Sequence, residues 1–138
     1  MITKVILKKS QLDYFRSLAR KNKNEIHAYL IGKEQLENHS ISIKKFVYPK
    51  KYEIQTEYNV KWFDAEYASL VESLDKDNII IGDIHTHPNA EAILSKEDYA
   101  GCLLEGLKIC GICSVNDTKT FVRFWNPECA LPMDIEYE

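Results

Sequence analysis

The sequence predicts one α/β domain over residues 1–138, an α/β sandwich with a mixed central sheet and about three helices. Segments with helical periodicity alternate with strand-like apolar runs along the chain. The β-branched run Ile79–Ile84 has the composition of a central strand. A length of 138 residues, with 45% hydrophobic and 28% charged residues, is typical of one globular domain.

The first half of the chain predicts two helices among several strands. The short apolar run Lys4–Leu7 predicts an edge strand, and Ser10 with Asp13 has the spacing of a helix N-cap followed by an acid. Helical spacing of apolar residues follows, and that helix should end near Lys21. Further strands are predicted over Glu25–Gly32, Ser40–Val47 and Glu53–Val60, and a second amphipathic helix over Phe63–Leu74.

The second half predicts the central strand, one more helix and a hairpin. Ser95 opens a third helix that extends to about Leu104. Strands over Lys108–Val115 and Thr120–Trp125 are joined by a turn at Asn116–Lys119. Pro127 and Pro132 are expected to break up the tail.

Charge and hydropathy exclude several classes of function. The net charge is −3 with a pI of about 5.8, and no basic patch of the kind that nucleic-acid binding requires is present. The N-terminal residues lack the apolar core of a signal peptide. No apolar run approaches the ~20 residues that a membrane helix needs. We therefore expect a cytoplasmic protein that binds neither nucleic acid nor membrane.

The four cysteines include one C-x-x-C pair, Cys110 and Cys113. A zinc ribbon needs a second such pair, and a redox motif needs a following helix. This pair instead lies in a predicted strand, where residues three apart point to opposite faces. Both are predicted to be ordinary buried thiols.

The most informative motif is His85-Thr86-His87-Pro88, followed by Ser95 and Asp98. On an extended backbone two residues two apart point the same way, so both imidazoles can contact one ion. Imidazole and carboxylate suit Zn²⁺, and three protein ligands leave a fourth position open for water, as in catalytic zinc sites. Ser95-x-x-Asp98 also has the spacing of a helix capping box, which needs no metal. A capped helix can still present Asp98 to an ion.

These residues resemble the signature of the JAMM (MPN+) zinc metalloproteases, whose fold is related to that of cytidine deaminase. That family also uses a glutamate on an upstream strand, and the segment Glu25–Gly32 is similar to that strand. The resemblance extends from about Lys4 to Trp125. It implies that His85, His87 and Asp98 bind Zn²⁺ and that a water at the open position is the nucleophile.

The resemblance also implies roles for two further residues. Glu25 would be the general base that takes the proton of the water and passes it to the leaving amine. Ser95 would stabilise the oxyanion of the tetrahedral intermediate. Without the resemblance, Glu25 would be interpreted as a solvated surface acid.

Two neighbouring residues remain open to more than one interpretation. Asp83 lies two residues before His85 and either orients a ligand imidazole or is a charge at a strand end. His27 lies where the family more often has a small residue or Cys. It is either a substrate contact or a histidine satisfied by local hydrogen bonds.

The function that the resemblance implies is zinc-dependent hydrolysis after the C-terminus of a ubiquitin-like or sulfur-carrier protein. No room exists between Asp98 and the strand at Lys108 for the long insertion of some eukaryotic members, so the chain is similar to minimal prokaryotic ones. The substrate tail is expected to pair with an exposed strand edge in the region 40–60.

Two other functions are alternatives to this hydrolysis. The alternative is a non-catalytic MPN scaffold, against which the intact set of five residues argues. A nucleoside deaminase would need an H-x-E motif and a Cys-pair ligand motif, which the chain does not show. A homodimer is compatible with the sequence.

Overall fold

The computed structural model describes all residues from 1 to 138 and contains nine strands and three α-helices. The strands are β1 Lys4–Leu7, β2 His27–Gln35, β3 Ser40–Val47, β4 Tyr52–Gln55, β5 Val60–Trp62, β6 Ile79–Pro88, β7 Ile109–Asn116, β8 Lys119–Asn126 and β9 Leu131–Tyr137. The helices are α1 Lys9–Lys21, α2 Asp64–Ser73 and α3 Lys96–Glu105. The predicted α/β class, mixed sheet and three helices are confirmed.

Seven of the strands form one closed sheet in the order β1-β3-β2-β6-β7-β8-β9. β1 pairs in parallel with both β3 and β9, and β6 pairs in parallel with β7. The expectation of an edge position for Lys4–Leu7 is therefore wrong. The sheet closes because β1 has a hydrogen-bonded neighbour on each side.

Pro127 follows the end of β8 and lies in a turn, but Pro132 lies within β9 and does not break up the tail, contrary to the expectation from sequence. Pro132 lies opposite Trp125 of β8, whereas β1 pairs with β9 only from Asp134 onward. At Pro132 the strand is therefore paired on one side only, and the missing N–H of proline leaves no ladder bond unmade. The C-terminal strand becomes the element that closes the barrel.

Helix α1 packs on β7 and β8 and buries Leu12, Phe15 and Ala19 in the main core. It begins one residue before the predicted N-cap, because the carbonyl of Lys8 accepts from the N–H of Leu12. Lys8 is the N-cap residue and its side chain makes no capping bond, so the prediction of Ser10 as the N-cap is wrong.

None of the helices has the length and apolar character needed to cross a membrane.

The predicted strand Glu53–Val60 is instead a hairpin. The two strands β4 and β5 form a separate antiparallel sheet. The turn closes where the N–H of Thr56 donates to the carbonyl of Asn59 at 2.8 Å. Trp62 of β5 packs with Tyr29 of β2 and Leu70 of α2 in a small second core. This packing places the hairpin beside the strand that follows Glu25.

The two cysteines of the C-x-x-C pair are buried, as predicted. Cys110 and Cys113 are both fully buried in β7. Cys113 packs in the main core, whereas Cys110 packs with Cys102 of α3 on the other face of the sheet. The two thiols therefore do not share a site.

Candidate metal centre

Two imidazoles come from one end of the central strand β6. His85 and His87 lie two residues apart, and their ring centroids are 5.1 Å apart. β6 is hydrogen-bonded to β2 on one side and to β7 on the other, which fixes the backbone that carries both rings. His85 is buried, and His87 is partly exposed.

Asp98 reaches the imidazoles from the first turn of α3. The capping box is present: Ser95 Oγ accepts from the N–H of Asp98 at 3.0 Å, and Asp98 Oδ2 accepts from the N–H of Ser95 at 3.1 Å. The same carboxylate lies with Oδ1 2.9 Å from His85 Nε2 and with Oδ2 3.1 Å from His87 Nε2. The capped helix thus holds the carboxylate against both rings.

The donor set fits a divalent cation. His87 Nδ1 lies 2.9 Å from the carbonyl oxygen of Glu91, and a carbonyl can only accept, so Nδ1 carries a proton. In the neutral ring Nε2 then turns its lone pair toward the Asp98 carboxylate. That contact is favourable only with a proton or a cation between the two atoms. A backbone carbonyl that orients a metal-binding imidazole in this way is a common feature of zinc sites.

The charges of the centre are strongly coupled. Burial disfavours the charged form of His85, but its hydrogen bond to Asp98 and the nearby carboxylates of Asp83 and Asp98 raise its pKa to about 9. Burial likewise opposes ionisation of Asp98, but hydrogen bonds from His85 and His87 hold its pKa well below the usual range. Without a cation, the three side chains are therefore held together by an imidazolium–carboxylate pair.

Glu25 immediately precedes β2 and lines the same cavity as His85 and Asp98. Its own N–H donates to the carbonyl of Thr56 at 2.7 Å, which fixes its backbone to the hairpin. Burial raises the pKa of its carboxyl, although the imidazoles of His85 and His87 partly oppose that effect. A carboxylate with a raised pKa near two imidazoles is suited to accept and return a proton.

Thr86 ties the segment of Glu25 to the histidine strand, and no local pattern along the chain indicates this role. It lies between the two histidines along β6, its side chain is buried, and its Oγ1 accepts from the N–H of Ile26 at 2.9 Å. The N–H of Thr86 donates to the carbonyl of Ile26 at 3.0 Å. The residue after Glu25 is thus bonded twice to the residue between His85 and His87.

His27 is satisfied by hydrogen bonds rather than free to contact a substrate. Trp62 Nε1 can only donate, and it does so to His27 Nδ1 at 2.9 Å. The proton of the neutral ring is therefore on Nε2, which donates to Asp83 Oδ2 at 3.0 Å. Asp83 is buried and bonds His27, not a ligand imidazole. Trp62, from 35 residues along the chain, could not be found from the motif.

A cavity of about 600 Å³ opens beside the centre. Its walls come from β2, β5, β6, α2 and α3, with the aromatic rings of Tyr29, Trp62 and Tyr67 on one side. Six carboxylates line it, against a single lysine, Lys61. The carboxylates are those of Glu25, Asp64, Asp83, Glu97, Asp98 and Glu105.

Comparison with protein families gives one decisive match. The model of the family described as prokaryotic homologs of the JAB domain matches residues 8–127. This chain belongs to that family. The JAB/MPN family includes zinc hydrolases. The matched range covers the five predicted site residues, Glu25, His85, His87, Ser95 and Asp98. No match to a curated protein was found.

Solved structures agree on the fold. The solution structure of protein DSY2949 from Desulfitobacterium hafniense aligns with a TM-score of 0.70 at 18% identity, over 97% of this chain and 92% of that one. The crystal structure of AF2198, a JAB1/MPN domain protein from Archaeoglobus fulgidus, aligns with a TM-score of 0.59 at 15% identity, over 95% and 96% of the two chains. At these identities the likeness concerns the fold alone, and it confirms a JAB/MPN fold for this JAB homologue.

Proposed function

We propose that this JAB homologue is a zinc-dependent isopeptidase or peptidase that hydrolyses the bond after the C-terminus of a ubiquitin-like or sulfur-carrier protein. The observation that carries the proposal is the convergence of one donor set at one end of a cavity. His85, His87 and Asp98 offer three ligand atoms within 4.8 Å of one another. Glu25 lines the same cavity, and Ser95 caps the helix that presents Asp98.

Zn²⁺ held by His85, His87 and Asp98 would supply a Lewis acid and an activated water. The protein's own part is to handle protons and charge. Glu25, with its raised pKa, holds the proton taken from the attacking water and delivers it to the leaving amine. Its position is fixed by the main-chain bonds of Glu25 to Thr56 and of Ile26 to Thr86.

Ser95 can cap the helix and act in catalysis at the same time. Its Oγ accepts from the N–H of Asp98, and its own hydroxyl hydrogen makes no bond within the protein. That hydrogen is available to an oxyanion that develops next to the centre. The capping bond therefore orients the donor without consuming it.

At the end of the expected region 40–60, we propose β5 rather than β3 as the strand edge that receives the substrate tail. Residues Ser40–Ser42 of β3 are paired on both sides, with β1 and with β2, so this part of the predicted edge is not free. β5 pairs only with β4, and its residues Val60, Lys61 and Trp62 line the cavity. An extended C-terminal tail could add to the free side of β5 with its terminal residue directed toward Glu25.

Zinc content and hydrolysis, measured on the same preparations, test the proposal. The wild type should hold one zinc at the His85–His87–Asp98 centre and cleave a ubiquitin-like protein extended at its C-terminus. His87→Ala should lose the zinc of this centre and the activity, whereas Glu25→Gln should keep that zinc and lose activity by about 10²–10⁴-fold. His39→Asn and Glu37→Gln, exposed positions outside the cavity lining, serve as matched controls and should behave as wild type.

Two outcomes would contradict the proposal. A wild type that binds no zinc after refolding in its presence would leave a non-catalytic scaffold as the function. A zinc protein whose activity is unchanged in Glu25→Gln would remove the general base from the mechanism.

A further inference from the structure

A second group of metal-ligand atoms lies in the wall of the cavity and is not used by the proposed reaction. Asp83 of β6, Cys102 of α3 and Cys110 of β7 bring one carboxylate oxygen and two sulfurs within 4.8 Å of one another. All three residues are buried, with exposed fractions of 8%, 3% and 0%. We call these residues the thiol cluster.

The carboxylate of this cluster has one oxygen without a partner. Asp83 Oδ2 accepts from His27 Nε2, but the buried Oδ1 makes no hydrogen bond. A buried carboxylate oxygen without a partner costs about 1–3 kcal/mol or more, so native structures rarely leave one without a reason. No lysine or arginine pairs with Asp83, and its one side-chain hydrogen-bond partner is the imidazole of His27.

We propose that the thiol cluster is a second metal site, specific for a thiophilic divalent cation of the Zn²⁺ class. Asp83 Oδ1, Cys102 Sγ and Cys110 Sγ are its ligands. Two thiolates and a carboxylate are a donor set that Zn²⁺ accepts, whereas Mg²⁺ and Ca²⁺ prefer oxygen alone. Its cation would neutralise the buried charge of Asp83 and occupy the orphaned Oδ1.

The geometry needs little adjustment. A tetrahedral zinc with Zn–S bonds of about 2.3 Å places its two sulfurs about 3.8 Å apart. The ligand atoms, within 4.8 Å of one another, therefore have to close by about 1 Å at most. All three residues line the cavity beside the His85–His87–Asp98 centre, which gives the ion an entry path and an open fourth position for water.

The surroundings also have the form of a second coordination shell. His27 donates to the non-ligating oxygen of Asp83, and Trp62 fixes the tautomer of His27. Such outer partners orient a metal-binding carboxylate and leave its other oxygen free for the ion. A cation in the thiol cluster would link α3 to β6 and β7, the three elements that meet beside the first centre.

Cobalt(II) is the probe, because thiolate ligands give it an intense near-ultraviolet charge-transfer band that imidazole and carboxylate ligands do not give. Wild-type protein titrated with Co²⁺ under reducing conditions should show this band and bind one more metal per chain than the first centre alone. His87→Ala should keep the band, so the result does not depend on the proposed peptidase. Cys102→Ser and Cys110→Ser should each lose the band and one bound metal.

Two controls separate metal binding from damage to the fold. Cys113→Ser removes an equally buried thiol on the other face of β7 and should keep the band. Asp83→Asn keeps both thiols and should weaken Co²⁺ binding at this site at least tenfold. The proposal is overturned if the wild type shows no charge-transfer band, or if the band persists in Cys102→Ser and Cys110→Ser.

Discussion

The phenol oxygen of Tyr52 bonds both main-chain groups of His27. Its Oη accepts from the N–H of His27 at 2.8 Å and donates to the carbonyl of the same residue at 2.7 Å. Tyr52 belongs to β4, and His27 opens β2 two residues after Glu25. The Tyr52 hydroxyl of the hairpin therefore satisfies the main-chain groups of His27 that a neighbouring strand would otherwise bond. This point lies two residues after Glu25, the proposed base.

Tyr52→Phe should lower both stability and activity. The substitution leaves a main-chain N–H and a carbonyl of buried His27 without the phenol, which costs about 1–3 kcal/mol of unfolding free energy. Since Glu25 lies next to this point, kcat should fall more than KM rises. Urea unfolding and steady-state kinetics on the same variant measure the two effects.

Tyr48→Phe is the matched control for Tyr52→Phe. Tyr48 also packs against the main core, but its buried Oη has no hydrogen-bond partner. Removal of this hydroxyl should leave stability unchanged or slightly raised. Equal losses in the two phenylalanine variants would show that the Tyr52 hydroxyl has no special role.

Thr86→Val should separate positioning of Glu25 from metal binding. Valine nearly keeps the volume but removes the Oγ1 that accepts from the N–H of Ile26, at a cost of about 1–3 kcal/mol. We expect zinc content to stay at the wild-type level while kcat falls, because His85 and His87 keep their strand pairing. Thr86→Ser retains the hydroxyl and should keep most of kcat, so a smaller loss in the valine variant than in the serine variant would argue against this role.

Glu25→Gln should make the metal-free protein more stable at neutral pH. Burial raises the pKa of Glu25, so the native state holds its proton more tightly than the unfolded chain does. Ionisation of Glu25 therefore lowers the free energy of unfolding as the pH rises from the ordinary pKa of 4.5 through the raised pKa of the native state. Above the raised pKa the full loss remains. Urea unfolding with chelator present should show a stabilised variant at pH 7 and convergence with wild type below about pH 4. A variant less stable than wild type at pH 7 would contradict this sign.

The local parts of the site were predictable from sequence, and its long-range parts were not. The spacing of His85 and His87 on a strand fixes their common face, and Ser95 with Asp98 carries its own capping signal three residues apart. Each feature depends only on the residue spacing within one strand or one helix. Only the family resemblance predicts a catalytic role for Glu25, because the residues next to it in the sequence do not indicate which strand it faces.

The hydrogen-bond partners that hold the site come from distant segments. Tyr52 and Trp62 bond His27 from 25 and 35 residues along the chain, and Thr86 bonds Ile26 from 60. The closure of the sheet has the same origin. β1 carries no signal for a second neighbour, since its partner β9 follows Pro127 and itself contains Pro132. Such pairings follow from the folded topology rather than from local pattern.

Two glycines provide opposite tests of how β6 and α3 are packed around the site. At Gly82 of β6, a Cβ would lie 2.5 Å from the main-chain oxygen of Ile109 and would also strike the side chain of that residue. At Gly101 of α3, a Cβ would meet nothing within 4 Å. Gly82→Ala should therefore destabilise by about 1–3 kcal/mol, because β7 must shift away from β6. Gly101→Ala should stabilise by about 0.5–1 kcal/mol, because glycine is entropically unfavourable inside a helix.

Thermal and urea unfolding of the two alanine variants measure these opposite signs directly. The parallel β6–β7 pairing sets the position of His85 and His87 relative to α3, so Gly82→Ala should also weaken zinc binding. Gly101→Ala lies three residues after Asp98 on the same helix and leaves the backbone geometry unchanged, so zinc binding should stay at the wild-type level. Destabilisation in both variants would indicate that α3 packs more tightly against the cavity wall than the open space at Gly101 implies.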